Sequence, residues 1–495
     1  MANPLSSPAL APSRSFLRFV DASPTPYHAV ANCVANLEEA GFSRLHERDS
    51  WADKVKPGSK LFVTRNQSSI IAFTVPEDAG SKPLGFSVAG CHTDSPRFIV
   101  KPVSKREKVG FTQVAVETYG GGLWATWMDR DLGIAGRVTL AGAKGASADT
   151  YTSHLVTVRQ PILRMPTIAI HLERTQNDKF YYNPETQQVP ILALASKELN
   201  RTLLGDEGAK SAAEVSFADP LDITSHHSPV LLHTVAQQLS EELGEEVKPS
   251  QIHDFELSLF DVQPATIGGA LNEFIFSARL DNLFSSFAAT EALILSSKSS
   301  LPSDGRVSMI ALFDNEEVGS VSAYGAESNF IESVFERVAV ALKADNESEA
   351  EAYQRTLAKS FLLSTDVAHS VHPGFVDKHE ENHRPLINSG IAIKTNVKQR
   401  YATTSNTVFP LRRVAAEAGV PLSEFVVRND CACGSTIGPL VSKIGLRTVD
   451  IGAPILSMHS VREMGGVRDM ASLVSLFERF FERMGHLDTL AETVD

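Results

Sequence analysis

From residue 254 onward the chain alternates short apolar runs with longer amphipathic ones. NEFIFSARL precedes DNLFSSFAATEALIL, VSMIALFD precedes NEEVGSVSAYGA, and AKSFLLSTD follows as a further run. Strands that alternate with helical segments mark a mostly parallel sheet covered by helices, since a parallel strand needs a long crossover to return to the same edge. The first hundred residues continue that texture. In PTPYHAVANCVANLEEAG, Ala29, Cys33 and Leu37 share a face with Val30 and Val34, and Gly41 stops the helix. LFVTRNQSSIIAFTV reads as a hairpin, and LGFSVAG as a buried strand that delivers CHTDSP. Between residues 104 and 253 the texture changes. Runs such as GRVTLAG and HLVTVRQPIL are separated by Gly, Pro and polar turns, and VLLHTVAQQLSEEL interrupts them as a helix. The expected architecture is one α/β domain, residues 1–103 and 254–495, split by an inserted β-rich domain over residues 104–253.

A chain of 495 residues exceeds one ordinary core, which agrees with two domains. Its 43% hydrophobic and 21% charged content is that of a soluble globular protein. A net charge of −13 argues against a general nucleic-acid binder, and it repels acidic substrates unless a local basic pocket reverses the sign. Cys33, Cys91, Cys431 and Cys433 are too few and too unevenly spaced for a disulfide framework. The lone C-x-C cannot supply four zinc ligands, so free thiols are expected. No stretch approaches the roughly 20 apolar residues that span a membrane. The lead MANPLSSPALAPSRS lacks the basic-then-apolar order of a secretory signal. A cytoplasmic setting is the expectation, with an organelle reached by another route left open.

Within this frame one decapeptide, ALFDNEEVGS, sets Glu316 and Glu317 side by side directly after an apolar run. A solvated helix start is the ordinary use of such a pair, because carboxylates favour the positive end of the dipole. Other polar groups stand at similar junctions: His92 and Asp94 after LGFSVAGC, Asp281 after FIFSARL, Asp366 after FLLST and His459 after PILSM. Each alone has a structural explanation, Asp281 and Asp366 as helix N-caps and the histidines as satisfied core residues. Together they match the crevice at the carboxyl ends of strands, where open sheets bind ligands. Two histidines with several carboxylates suit zinc, with manganese or cobalt open. Two ions about 3.5–4 Å apart need a bridging carboxylate, as in hydrolases that activate a water. Asp281 is the natural bridge, and Asp94 is suited to orient the His92 imidazole. Adjacent side chains point different ways, so Glu317 is read as a ligand and Glu316 as the general base.

CHTDSP, YGGGLWATWMDRDLGIAGRV, RLDNL, DNEEVGS, DVAHSVHPGFVDKHEENHRP, KQRYATTS and SMHSVREM, in this order, resemble the aspartyl aminopeptidases. The resemblance covers almost the whole chain. It implies a dinuclear zinc exopeptidase that removes N-terminal Asp or Glu, with a zinc-exopeptidase-like catalytic domain and an inserted dimerisation domain. It also implies that one Zn2+ takes His92, Asp281 and Asp366, and the other Asp281, Glu317 and His459. Glu316 is then the base and Asp94 the acid behind His92. Substrate contacts implied by the resemblance are His171, His369, Lys394 and Tyr401, with Glu316 and Asp366 also facing the substrate. A tetrahedral homododecamer is implied as well, in which His171 reaches a neighbouring active site.

Other features carry less. YGGGL lacks the glycine spacing and the Lys-Ser/Thr end of a phosphate loop, so a turn or packing role is expected. DKHEENHRP, residues 377–385, is expected to be an exposed charged loop without metal. Trp124 and Trp127 are expected in packing. A carboxypeptidase or deacylase would use the same metals with a cation such as Lys394 or Arg400 aimed at a substrate carboxylate. A scaffold without catalysis usually shows a broken ligand set, and here the set is complete.

Overall fold

The computed structural model describes residues 10–79, 85–141, 150–195, 222–299 and 305–490. The start of the Pro/Ser-rich lead lies outside them. Its remainder forms a helix the sequence reading did not anticipate, Ala11–Ala22, with proline in its first turn and Phe16, Phe19 and Val20 buried. By backbone contacts the chain divides into two units, Met1–Ser95 with Ala265–Met458 and Arg462–Asp495, and Pro96–Pro264 with His459–Val461.

The first unit is built on a nine-stranded sheet. Its order is Ser43–Leu45, Lys60–Arg65, Ser69–Thr74, Val307–Phe313, Phe86–His92, Phe361–Thr365, Arg447–Gly452, Ile391–Lys394 and Leu422–Phe425. The central run from Val307–Phe313 through Arg447–Gly452 is parallel throughout. The expected hairpin is the antiparallel pair Lys60–Arg65 and Ser69–Thr74. Every residue of VSMIALF, FSVAGCH and FLLST is buried. Strands covered on both faces read as continuous apolar runs rather than alternating ones, which is why these were visible in the sequence.

Helices cover both faces. On one side Leu280–Ser296 packs against Val467–Leu490, which also meets Ser405–Ala418. Phe16 meets Phe284 edge-on at 5.4 Å there. On the other side Phe335 of Phe330–Ala341 stacks on Phe86 at 4.2 Å. The expected helix Pro26–Glu39 starts at a Thr25 cap and ends before Gly41, whose φ of +88° suits glycine.

Three local expectations change. NEFIFSARL contributes only Phe274–Ser277, and this strand is outside the parallel sheet. It pairs antiparallel with Thr266–Gly268 and Glu463–Gly466. PILSM likewise gives a two-residue strand, Pro454–Ile455, beside Ala368–His369. NEEVGSVSAYGA forms one 3-10 turn, Glu316–Val318, in place of a helix. Asn315, Gly319 and Ser320 all have positive φ, so helical geometry cannot propagate on either side of that turn.

The second unit is a six-stranded antiparallel sheet. Its order is Tyr151–Leu163, Leu132–Ala141, Ile252–Asp261, Arg97–Lys108, Phe111–Tyr119 and Ile191–Leu194. Helix Pro229–Leu243 packs on Tyr151–Leu163 and buries Leu231, Val235 and Leu239. Trp127 packs edge-on to Phe98 at 5.3 Å, a core role. Among the described residues no helix is long and apolar enough to cross a membrane, and all four cysteines are free thiols.

Candidate metal centre

His92 closes Phe86–His92, in register with Phe313 at the end of the adjacent strand. Asp366 follows Phe361–Thr365, its N–H donating to Ile451 O at 3.0 Å. Parallel neighbours ending together place these groups on one edge of the sheet. Asp281 arrives differently, from the first turn of Leu280–Ser296, where it and Asn282 depart from helical dihedrals. Its backbone is held at both its N–H and its carbonyl, and the next residue is tied down as well. Ser95 Oγ donates to Asp281 O, Asp281 N donates to Glu463 Oε2 at 3.2 Å, and Asn282 Nδ2 reaches Thr365 O at 2.7 Å.

The side chains converge. His92 Nε2 is 3.2 Å from Asp281 Oδ1 and 3.5 Å from Asp366 Oδ1. Buried His92 Nε2 and Asp366 Oδ1 make no hydrogen bond of acceptable geometry. Nitrogen and oxygen ligands of tetrahedral zinc, bonded at about 2.0–2.1 Å, stand roughly 3.3 Å from one another. The observed spacing is that of donors around a small cation. Ligand atoms of Asp281 and Glu317 come within 4.8 Å, as do those of His92, Glu316 and Glu317.

Asp94 does more than orient an imidazole. His92 Nδ1 is 3.1 Å from the Asp94 backbone oxygen and 3.4 Å from its carboxylate. The same carboxylate accepts the N–H groups of Glu316 at 3.1 Å and Glu317 at 3.2 Å. One buried acid therefore fixes both the first histidine and the glutamate turn. Glu463 is a second supporting residue, and sequence reasoning missed its role. It lies within SMHSVREM, four residues after His459, so its place in that motif was the available signal.

Lys394, at the end of Ile391–Lys394, is buried, and its Nζ lies 3.7 Å from Asp366 Oδ2 and 5.3 Å above the Tyr401 ring. Burial above all, with a Cys433 hydrogen bond and nearby negative charges, holds the Tyr401 hydroxyl well above its usual range, so it is a neutral donor. His369 is exposed, its ring 5.8 Å from that of Phe425. A cavity of about 280 Å³ opens beside His369, lined also by His372, His379, Phe425, Cys431 and Met458. In the 377–385 loop, His383 pairs with Glu380 and His379 Nε2 accepts the His372 N–H, so local contacts use these groups.

Two expected site residues belong to the second unit. His171 sits exposed in a turn. His459 has φ +67° and Nδ1 at 2.9 Å from Gly121 O, while Gly121 sits in the YGGGL turn. Donation from Nδ1 to that carbonyl selects the tautomer whose lone pair is on Nε2, the form a metal ligand needs.

A profile of the family described as aminopeptidase I zinc metalloprotease (M18) matches residues 19–481. The chain belongs to the M18 zinc metalloproteases. The aspartyl aminopeptidase of Aspergillus oryzae is 46% identical to this M18 chain, spanning 98% of it and 97% of the relative. A cryo-electron-microscopy structure of an Ape4 and Nbr1 complex aligns with a TM-score of 0.89 at 41% identity, covering 98% of this chain and 88% of that one. The mApe1 dodecamer of S. cerevisiae aligns at 0.80 with 29% identity, over 98% and 99% of the two chains. Membership makes the M18 chain a zinc-dependent hydrolase, and the His92, Asp281 and Asp366 donors fit that metal.

The electrostatics of His92 and Glu316 yield a pH prediction. Burial pulls His92 down, but the close carboxylates of Asp281, Asp366 and Asp94 and the charge of Glu316 raise it well above its ordinary value. Burial pushes Glu316 up to about 8, opposed by His92 and reinforced by Asp366, Asp94 and Asp281. Both shifts favour the protonated forms, so a cation held by His92 must displace its proton, and one beside Glu316 must draw that carboxyl back down. Zinc affinity is therefore expected to rise as pH climbs toward about 8, with protons released on loading. Competition with a chelator across pH, plus an indicator dye in weak buffer, measures both. An affinity flat with pH would show that these protons are not displaced.

Proposed function

We propose that the protein is an aminopeptidase that removes N-terminal Asp, and also Glu, from peptides with two zinc ions per chain. The observation that carries this reading is the buried set of His92, Asp281 and Asp366, whose ligand atoms lie within 4.8 Å of one another. The name of the A. oryzae relative supports the acidic preference. We assign His92 and Asp366 to one ion, Glu317 and His459 to the other, and Asp281 to both. Manganese or cobalt would substitute. Bound there, zinc would supply Lewis acidity for the scissile carbonyl and for a water. Glu316 takes the proton of the attacking water and delivers it to the leaving amine. Asp94 keeps Glu316 and His92 in place. Asp366 and Glu316 face the free amine of the substrate, which is why an aminopeptidase discards N-blocked peptides. Lys394, with His369 and Tyr401, receives the substrate's side-chain carboxylate, and the cavity beside His369 accepts following residues.

The deciding comparison is a free Asp-peptide against its N-acetylated form. Equal cleavage of both would move the reading to a carboxypeptidase or deacylase. We further propose a tetrahedral homododecamer working in the cytoplasm, with the second unit making dimer contacts and His171 entering a neighbouring site. The mApe1 dodecamer supports this, as do the exposed Ile168, Ile170 and Leu172 around His171. Sedimentation of the intact protein reads the assembly, and a stable monomer would sink it.

A buried lysine explains how a chain of net charge −13 selects acidic residues. Salt screens diffuse surface charge beyond roughly 8–10 Å, whereas a cation in contact within a partly dry pocket is screened little. Lys394→Met is expected to lower kcat/KM on Asp- and Glu-peptides about 10- to 100-fold more than on Ala- or Leu-peptides, the worth of a charged hydrogen bond of about 1.5–3 kcal/mol. Equal losses on both classes would assign Lys394 to the fold or the metals.

A further inference from the structure

Asp450 has no role in the chemistry above, yet it is fully buried at the heart of the sheet. It lies on Arg447–Gly452 with Ser364 as its register partner on one side and Lys394 on the other. Residues paired directly across neighbouring strands project to the same face. Ser364, Asp450 and Lys394 thus form one row across three strands, two residues from Asp366.

Both carboxylate oxygens of Asp450 are occupied by donors. Oδ1 receives Ser364 Oγ and Thr436 Oγ1, each at 2.6 Å, and Oδ2 receives the Ala402 N–H at 2.6 Å. Asp450 N donates in turn to Thr403 Oγ1 at 2.9 Å. These bonds seize the segment that carries Tyr401. Gly438 leaves room for the carboxylate, since a Cβ there would stand 2.5 Å from both oxygens. Burial pushes the carboxyl up from its usual value, while Ser364, Thr436, the Ala402 N–H and the Lys394 charge pull it back.

Three donors and no acceptor form a receptor for an anion. Neutral donors stabilise that charge without cancelling it, and Lys394 is the cation of the same row. Lys394 needs such a countercharge, because burying an ammonium without one is costly. Asp366 meets only part of that need, as its other oxygen faces His92.

We propose that Asp450 is a positioning residue for acidic-substrate selectivity, whose buried charge and hydrogen bonds hold Lys394 and Tyr401 against the substrate's side-chain carboxylate. This inference rests on the aminopeptidase reading. It separates Asp450 from the metal centre and predicts an effect on recognition rather than on the hydrolytic step.

The test is Asp450→Asn in the full-length, zinc-loaded protein, assayed on Asp- and Ala-peptides and combined with Lys394→Met. The expected result is a fall of about tenfold or more in kcat/KM on the Asp-peptide, chiefly through KM. Metal content and the Ala-peptide rate should stay within about twofold. In the Lys394→Met background Asp450→Asn should add little further loss of preference, since both changes remove one coupled device. Asp450→Ser, smaller and still polar, replaces Asn if that variant does not fold. An unchanged preference overturns the proposal, and so do losses that add to those of Lys394→Met. Failure of both variants to fold counts against it too, as that makes Asp450 a hub of the fold alone. Absence of acid preference in the unsubstituted protein would instead refute the reading beneath it.

Discussion

Asp281→Asn is expected to lose metal and activity together. Asp281 Oδ1 stands 3.2 Å from His92 Nε2, and the same carboxylate comes within 4.8 Å of Glu317. Its carboxylate thus belongs both to the cluster of His92 and Asp366 and to the one that includes Glu317. In the proposed centre it is the negative charge between two dications, and an amide supplies oxygen without that charge. The repulsion then falls on fewer anions, and at least one ion should leave. Metal content after gel filtration is expected to drop by about one equivalent or more per chain, with turnover on Asp-peptides reduced about a thousandfold or more. The backbone supports of this residue, through Ser95 and Glu463, and the Asn282 bond beside it do not involve its carboxylate, so folding should survive. Circular dichroism and sedimentation check that point. Two retained equivalents with normal turnover would remove Asp281 from the bridge.

That residue also shows what one-dimensional patterning can and cannot report. FIFSARL was read as a strand delivering Asp281 to the end of a parallel sheet, the same logic that served for His92 and Asp366. For those two the logic follows physically. FSVAGCH and FLLST are buried on both faces, and their continuous apolarity advertises it. Phe274–Ser277 alternates in burial instead, as a strand of a small antiparallel sheet does. Its partners, Thr266–Gly268 and Glu463–Gly466, include a segment almost two hundred residues away, which no local period encodes.

The same limit applies to supporting residues. Asp94 was legible as a partner of His92 because two residues separate them. Its grip on the N–H groups of Glu316 and Glu317 was not, since that contact spans more than two hundred residues. Asp450 left a faint trace, an acid inside the apolar run TVDIG. The row with Ser364 and Lys394 emerges only from strand register. His459 shows another kind of opacity. It follows an apolar run like the others, but the segment 459–461 groups with the second unit by its contacts. Helix Ala11–Ala22 was hidden by composition, as the proline and serines that begin it resemble a linker.

Glu316→Gln is expected to keep its metal and lose most of its turnover. The adjacent glutamates sit on a single 3-10 turn bounded by Asn315 and Gly319 in left-handed conformations. Both N–H groups are pinned by Asp94, so the two side chains leave one fixed point in different directions. Glu316 Oε2 lies 4.0 Å from His92 Nε2, farther out than the Asp281 and Asp366 oxygens. That distance suits a group that faces the attacking water rather than one that completes the inner set. Glutamine preserves volume and the backbone bonds but cannot take a proton, so kcat should fall about 100- to 10,000-fold with KM little changed. Glu317→Gln should do the reverse, weakening zinc retention first and losing activity in proportion to the metal lost. Measuring zinc content and single-turnover rates on both variants separates the roles. Metal lost from the Glu316 variant alone would exchange the two assignments. Equal metal loss from both would make the pair a joint ligand and leave the base to be sought elsewhere in the site.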